Sequence, residues 1–213
     1  MKKLNFIIKC GLALLLLSFY SCESWLNVTP SDRLSEEMLF NDREGFVKAL
    51  NGVYIELNTN ELYGRNLTAG ALDVMGQYYS VASSSHAFYN YGGLVYTGND
   101  EKALFDNMWQ KCYAVIACCN TIIEKCDENK AGLSPVWKGA IKGEALALRA
   151  MLHFDMLRLF GPLTSELDKE SIPYQTNSDQ TVTPLLSGSE VVGLILDDLK
   201  NAVGLLKDTD PYF

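Results

Sequence analysis

The stretch from Gly143 to Leu163, GEALALRAMLHFDMLRLFGPL, restricts the possible folds more than any other part of the chain. Leu148, Met151, Leu152, Leu159 and Phe160 recur at helical spacing, joined by Ala145, Phe154 and Met156. Charge is confined to a narrow strip of Glu144, Arg149, Asp155 and Arg158. A helix apolar around most of its circumference must be enclosed by other helices. Upstream, Ser134-Pro135 supplies a cap and a proline for the first helical position, and Gly161-Pro162 stops the helix. The pattern predicts a helix over Pro135–Phe160, about 39 Å long at about 1.5 Å per residue.

Two more helices flank it on the N-terminal side. Asn41-Asp42-Arg43-Glu44 has a side-chain oxygen at the cap with a glutamate three residues on. Phe46, Ala49, Leu50, Val53, Tyr54 and Leu57 follow on one face. From Glu101 to Cys126, the residues Phe105, Met108, Cys112, Ile116, Cys119, Ile123 and Cys126 are separated by threes and fours, with Trp109, Tyr113 and Asn120 beside them. The break from Asp127 to Gly132 turns the chain, so the 101–126 and 135–160 helices should pair antiparallel, with Trp109 and Phe154 buried. Further on, Leu163–Ser187 reads as an irregular connection. Ser189 then caps a helix over Glu190–Leu206 with Val192, Ile195, Leu199, Ala202, Val203 and Leu206 on one face. The fold class expected is all-α.

These segments carry a resemblance. Gly143-Glu144-Ala145, Leu148-Arg149-Ala150, Leu157-Arg158 and the closing Phe160-Gly161-Pro162-Leu163 look like the signature helix of the SusD/RagB family. Gly52-Val53-Tyr54 in the first helix resembles the family's Gly-Val-Tyr. Trp109, Tyr113, Ile116, Cys119-Asn120 and Ile122-Ile123 resemble its Trp, Tyr, Ile, Ala-Asn and Ile positions. Ser189-Glu190-Val191, Ile195, Asp198-Leu199 and Ala202 resemble a fourth segment. The resemblance implies a helical bundle with tetratricopeptide-like helix pairs and long irregular loops. Ala150, Phe154 and Pro162 sit at that repeat's second-helix spacing. It further implies a surface lipoprotein of the outer membrane that captures glycan and passes it to a TonB-dependent, SusC-like transporter. The similarity covers the N-terminal part of the family, so residues 31–213 are expected to be a truncated helical domain.

The N-terminus agrees. Lys2 and Lys3 precede an apolar run from Gly11 to Tyr20, and Lys9 leaves that run too short for a membrane span. Residues 1–21 therefore read as a signal peptide. Phe19-Tyr20-Ser21-Cys22 resembles a lipobox, which assigns Cys22 as the acylated residue and 22–30 as a tether. Several acyl chains on one residue hold a protein on a membrane where one alone holds it marginally.

Charge excludes a class of partner. Removing Lys2, Lys3 and Lys9 leaves 15 basic against 26 acidic residues, a net of −11, which repels phosphate backbones and argues against nucleic acid. Cys112, Cys119 and Cys126 are spaced by sevens on one helical face. Neighbours in that row lie about 10.5 Å apart along the axis, beyond the roughly 7 Å that a disulfide spans. With only His86 and His153 available, the set does not make a metal site either, and the thiols read as small buried apolar groups.

Between the helices the composition changes. Six of the eleven tyrosines fall between 63 and 96, among serines and glycines, with Arg65 and Asp73 as formal charges. A tyrosine offers a flat apolar face and one polar handle, which suits the C–H faces and hydroxyls of a sugar. The carbohydrate-binding candidates are Asp73, Gln77, Tyr78, Tyr79, Tyr89, Asn90 and Tyr91; the competing expectation is that these tyrosines pack loop against bundle. The sequence contains no nucleophile, phosphate-loop or metalloprotease motif and no cofactor signature. The adjacent acids Glu36/Glu37 and Asp197/Asp198 are expected on exposed faces. A binder is the leading reading and a non-binding helical interaction module the second.

Overall fold

A computed structural model describes residues 35–179, 181–206 and 211. The residues read as signal peptide, lipid site and tether lie outside them. The chain divides into units 1–36 and 37–213, and the second holds the architecture below. A single turn (α1, Glu36–Leu39) is followed by α2 (Arg43–Leu57) and the short α3 (Ala71–Met75) and α4 (Tyr89–Gly92). The long α5 (Asn99–Glu128) and α6 (Pro135–Phe160) come next. Two short strands, β1 (Glu170–Pro173) and β2 (Leu185–Ser187), precede α7 (Gly188–Leu206). The fold is all-α in class, as expected.

Local chemistry explains the boundaries. Asp42, not Asn41, caps α2: its side chain accepts from the Gly45 N–H at 2.8 Å. No residue with a Cβ fits at 45, since that atom would lie 1.5 Å from the Leu39 carbonyl oxygen. Ser134 caps α6 with Pro135 behind it. Asn129 ends α5 in the left-handed region (φ 47°), where its amide also brackets Leu133 through both N–H and C=O. α7 starts earlier than Ser189 would place it. Ser187 Oγ accepts from Glu190 N–H, while the Glu190 carboxylate takes the Ser187 N–H at 2.8 Å, a reciprocal capping box. The stretch read as wholly irregular contains an antiparallel ribbon, with Glu170 opposite Ser187 and Pro173 opposite Leu185.

α5 and α6 are antiparallel, as their cross-contacts show. Asp127 meets Lys142, Asn120 meets Arg149, Tyr113 meets His153 and Trp109 meets Phe160, in reverse order along the two helices. α7 runs antiparallel to α6, from Arg149–Asp198 to Gly143, where an added Cβ would stand 2.7 Å from Leu206 Cγ. The core is formed by Phe46, Leu50 and Val53 of α2, Met108, Cys112 and Ile116 of α5, and Ile141, Leu152 and Met156 of α6. Cys119 and Cys126 complete the thiol row, buried and free. Burial pushes both up to about 12, so they remain thiols at neutral pH.

Two faces are turned from their expected directions. On α6, Phe154 is 52% exposed and Met151 lies outward, whereas Arg149, His153 and Asp155 are buried. The charged strip is thus partly an inward one, because Arg149 and Asp155 are paired inside the bundle. On α7, Ile195 and Ala202 face the core as expected, together with Val191 and Asp198, whereas Leu199 and Val203 face out and Leu206 lies part-exposed over Gly143. Asp198 is therefore not the solvated acid that its neighbour Asp197 is. Trp109 is half-buried against Tyr113 and Phe160. Since the Phe154 ring is half in water, Phe154→Ala should cost under about 1 kcal/mol in urea unfolding. A loss of about 3 kcal/mol or more would mean that the ring is enclosed.

Candidate functional site

The tyrosine-rich segment is a set of tight turns fastened to the helices. At its start the Tyr63 hydroxyl donates to the Asp155 carboxylate of α6, and Arg158 Nε donates to the other oxygen at 2.6 Å. Burial, then the bonded Asp155, raises the Tyr63 pKa, so the hydroxyl keeps its proton. At its far end, Phe105 of α5 receives the edges of Tyr91 and Tyr96, with ring centroids 5.8 and 5.3 Å away, and itself meets Phe160 of α6. Between these anchors Ala71, Val74 and Tyr91 form a small second core.

The seven candidates divide by what their side chains do. Tyr91 is 2% exposed, so its ring packs against Phe88 and Phe105 and does not face solvent. That is a correction: for this tyrosine the packing expectation holds. Gln77 sits at a positive φ of 60° and its amide spans the turn, donating to Val74 O at 3.3 Å and Gly92 O at 2.9 Å. Asn90 donates at 2.7 Å to Glu101, itself buried at the start of α5. Both amides therefore tie segment to segment. Asp73 is half-buried on α3, and among the described residues nothing hydrogen-bonds its carboxylate.

Three rings remain outward: Tyr78 at 83%, Tyr79 at 41% and Tyr89 at 43% exposure. Tyr78 lies against Gly76, where an added Cβ would be 3.2 Å from two ring carbons. The Tyr79 hydroxyl donates to the Ala69 carbonyl at 2.6 Å, which fixes that ring in place. Tyr78 and Tyr79 are adjacent, next to the Gln77 side chain that ties this turn to Gly92, and Asp73 lies on the short helix just before them.

Sequence reasoning missed a second constellation. Arg149 makes a two-point ion pair with Asp198, Nε and Nη2 each at 2.7 Å, and Nη1 donates to Asn120 at 2.9 Å. The Tyr174 hydroxyl donates to Asp198 at 2.6 Å, and its ring stacks on His153 with centroids 3.9 Å apart. His153 Nδ1 bonds the Arg149 carbonyl and Nε2 accepts from Gln175 N–H at 3.0 Å, an arrangement that only the neutral Nδ1–H tautomer satisfies. Burial pulls the His153 pKa down to about 4, with the neighbouring Arg149 charge acting the same way. The cluster also holds the segment from Pro173 to Ser178. Tyr113 bonds Pro173 O, Asn120 bonds Gln175 O and Asn177 O, and Glu124 takes Ser178 N–H and Oγ. The available signal was the presence of Arg149 and His153, four apart, on a helix that is otherwise apolar around most of its circumference.

A concavity of about 540 Å³ lies beside Trp137, and one of about 570 Å³ between α6 and α7 is lined in part by Arg149 and Asp198 of that ion pair. Among the described residues no group of His, Cys, Asp and Glu is arranged to hold a metal, and no helix is long and apolar enough to cross a membrane.

A SusD-like family profile, described as starch-binding associating with outer membrane, matches residues 24–212. SusD-like protein P2 of Formosa agariphila is 27% identical over 97% of this chain, and P38 of the same organism is 27% identical over 85%. The chain spans 38% and 34% of those two relatives' own lengths. A SusD superfamily structure from Bacteroides thetaiotaomicron superposes on 78% of the chain at TM-score 0.60 and 21% identity. A Bacteroides vulgatus structure named for sugar binding superposes on 78% at TM-score 0.63 and 25% identity, and each solved chain is 37% covered.

Proposed function

This chain belongs to the SusD-like family, and from that premise we propose that it binds glycan through the exposed tyrosines of the 71–92 turns. The observation that carries the reading is the outward presentation of Tyr78, Tyr79 and Tyr89 on a braced scaffold. A pyranose ring stacks its C–H face on tyrosine and its hydroxyls seek acceptors, for which the Asp73 carboxylate stands nearest in sequence. Neither Gln77 nor Asn90 is needed as a direct ligand; each positions the turns. The reading is a binder rather than an enzyme, since glycoside hydrolysis needs two carboxylates across a cleft and the braced turns carry only Asp73.

Isothermal titration of the mature chain with an oligosaccharide panel tests this. Losing a dominant ring by Tyr78→Ala, Tyr79→Ala or Tyr89→Ala should weaken binding by about 1–3 kcal/mol, roughly 5- to 150-fold. Unfolding midpoints should stay unchanged for Tyr78→Ala. Stability lost with affinity untouched would return these rings to a packing role.

We further propose that Cys22 carries the lipid anchor, that the protein sits on the outer membrane facing outward, and that it hands glycan to a TonB-dependent transporter. The family description supports the membrane, and Ser21-Cys22 after the apolar run supports the anchor. Mass spectrometry of the membrane fraction should find acyl groups on Cys22 that Cys22→Ser abolishes. An unmodified Cys22 in a soluble periplasmic form would refute the anchor.

A further inference from the structure

The concavity of about 540 Å³ beside Trp137 lies where the start of α2 meets the turn between α5 and α6, and Asp42, Arg43, Glu44, Leu133 and Ser134 are among its other walls. Short-range bonds fix those walls. Asp42 Oδ1 accepts the Gly45 N–H at 2.8 Å, the Asn129 amide brackets Leu133, and Ser134 caps α6. The Trp137 indole is half-buried against the core, and the exposed Arg43 guanidinium lies over its ring, 4.8 Å from the centroid. Glu44 is tied to Lys48 at 2.8 Å. Arg43 has no carboxylate partner among the described residues, and the second Asp42 oxygen accepts no hydrogen bond from them.

We propose that this concavity is a second glycan-binding site, which takes a neutral oligosaccharide against Trp137 and bonds it through Arg43 and Asp42. A hydroxyl both donates and accepts. Neighbouring hydroxyls of a sugar therefore suit a wall that sets an acceptor, Asp42, beside a donor fork, Arg43, while the indole covers C–H surface. An anionic ligand fits less well, because Asp42 and Glu44 flank the one arginine; a free cation would meet the positive end of α6. The volume falls within the roughly 300–1,000 Å³ of ordinary ligand clefts. The site is remote from the tyrosine turns. Trp137 and Asp155, the residue that anchors Tyr63, are separated along α6 by about 27 Å at about 1.5 Å per residue. The proposal rests on the glycan reading, but not on the turns as the place where glycan binds.

Nitrogen-15 spectra of the mature chain, kept in solution by Cys22→Ser, test it. The indole N–H resonances of Trp25, Trp109 and Trp137 are assigned with Trp25→Phe, Trp109→Phe and Trp137→Phe, then followed during titration with malto-, cello-, xylo- and laminarihexaose. Oligogalacturonate is the anionic control. At least one neutral sugar should shift the Trp137 resonance saturably. Arg43→Met, which keeps an unbranched chain over the ring but removes the donors, should raise that Kd at least tenfold. Tyr78→Ala/Tyr89→Ala should leave the Trp137 titration unchanged. If it does so while calorimetry shows no loss of binding in that same double variant, the turns fail as a site and this one stands. A Trp137 resonance unmoved by all four neutral sugars, moved equally by oligogalacturonate, or indifferent to Arg43→Met overturns the proposal. So does loss of the shift in the turn variant, which would make the indole a distant reporter of the turns.

Discussion

Replacing Arg149 by methionine will cost this fold about 3–5 kcal/mol, because the change leaves a carboxylate in the bundle without its cation. Asp198 is buried, and its partners are the Arg149 fork and the Tyr174 hydroxyl. One neutral hydroxyl does not replace the lost charge. The same guanidinium holds Asn120, whose amide fixes Gln175 and Asn177, so the 173–178 segment loosens as well. The double variant Arg149→Met/Asp198→Leu should be less damaged than the two single variants together, since removing both charges removes the desolvation cost that each imposes. Guanidinium unfolding of the three variants gives the cycle. A loss below about 1 kcal/mol in Arg149→Met would mean that water reaches Asp198 and the pair is a surface one.

The second large effect depends on acidity. His153 titrates near 6.5 when the chain is unfolded and is held down to about 4 in the fold. The unfolded chain therefore takes up the proton first as pH falls. Stability is unaffected by this group above 6.5, declines through the window from 6.5 to 4, and is constant below it. The full gap corresponds to about 3 kcal/mol, with about 2 kcal/mol of it gone by pH 5. The local reason is that a protonated Nε2 would present a hydrogen to the Gln175 N–H, donor against donor. Urea unfolding at pH 7.5 and pH 5 should show this difference in the wild type. His153→Gln, which does not titrate, should show less than half of it. An equal pH difference in both would assign the acid sensitivity to carboxylates.

Much of the architecture was legible because its signals are local. Ser134-Pro135 and Gly161-Pro162 bound α6 as read, and the sevenfold row of Cys112, Cys119 and Cys126 is buried as read. The errors were errors of facing. On α7, the reading joined Ile195 and Ala202, which are buried, with Leu199 and Val203, which are exposed. The buried face instead includes Asp198, whose place inside depends on an arginine 49 residues away in sequence. Likewise Phe154 looked like core and Asp155 like surface, whereas Tyr63, 92 residues before Asp155, decides the matter. A pairing at that separation leaves no trace in periodicity. In the turns, tyrosine content located the segment but did not separate Tyr91, which packs on Phe105, from Tyr78 and Tyr89, which do not. That distinction is set by where α5 passes underneath.

The segment from Pro173 to Ser178 has almost no regular hydrogen-bonding of its own, yet Tyr113, Asn120, Glu124, Arg149 and His153 hold it from two helices. Its register is thus written in side chains fixed on α5 and α6 rather than in a strand ladder. Adding or deleting one residue there would displace every carbonyl and amide past its partner at once. Surface connections usually tolerate such length changes. Here an insertion between Tyr174 and Ser178 should behave like a frameshift of packing, as damaging as one placed inside a helix.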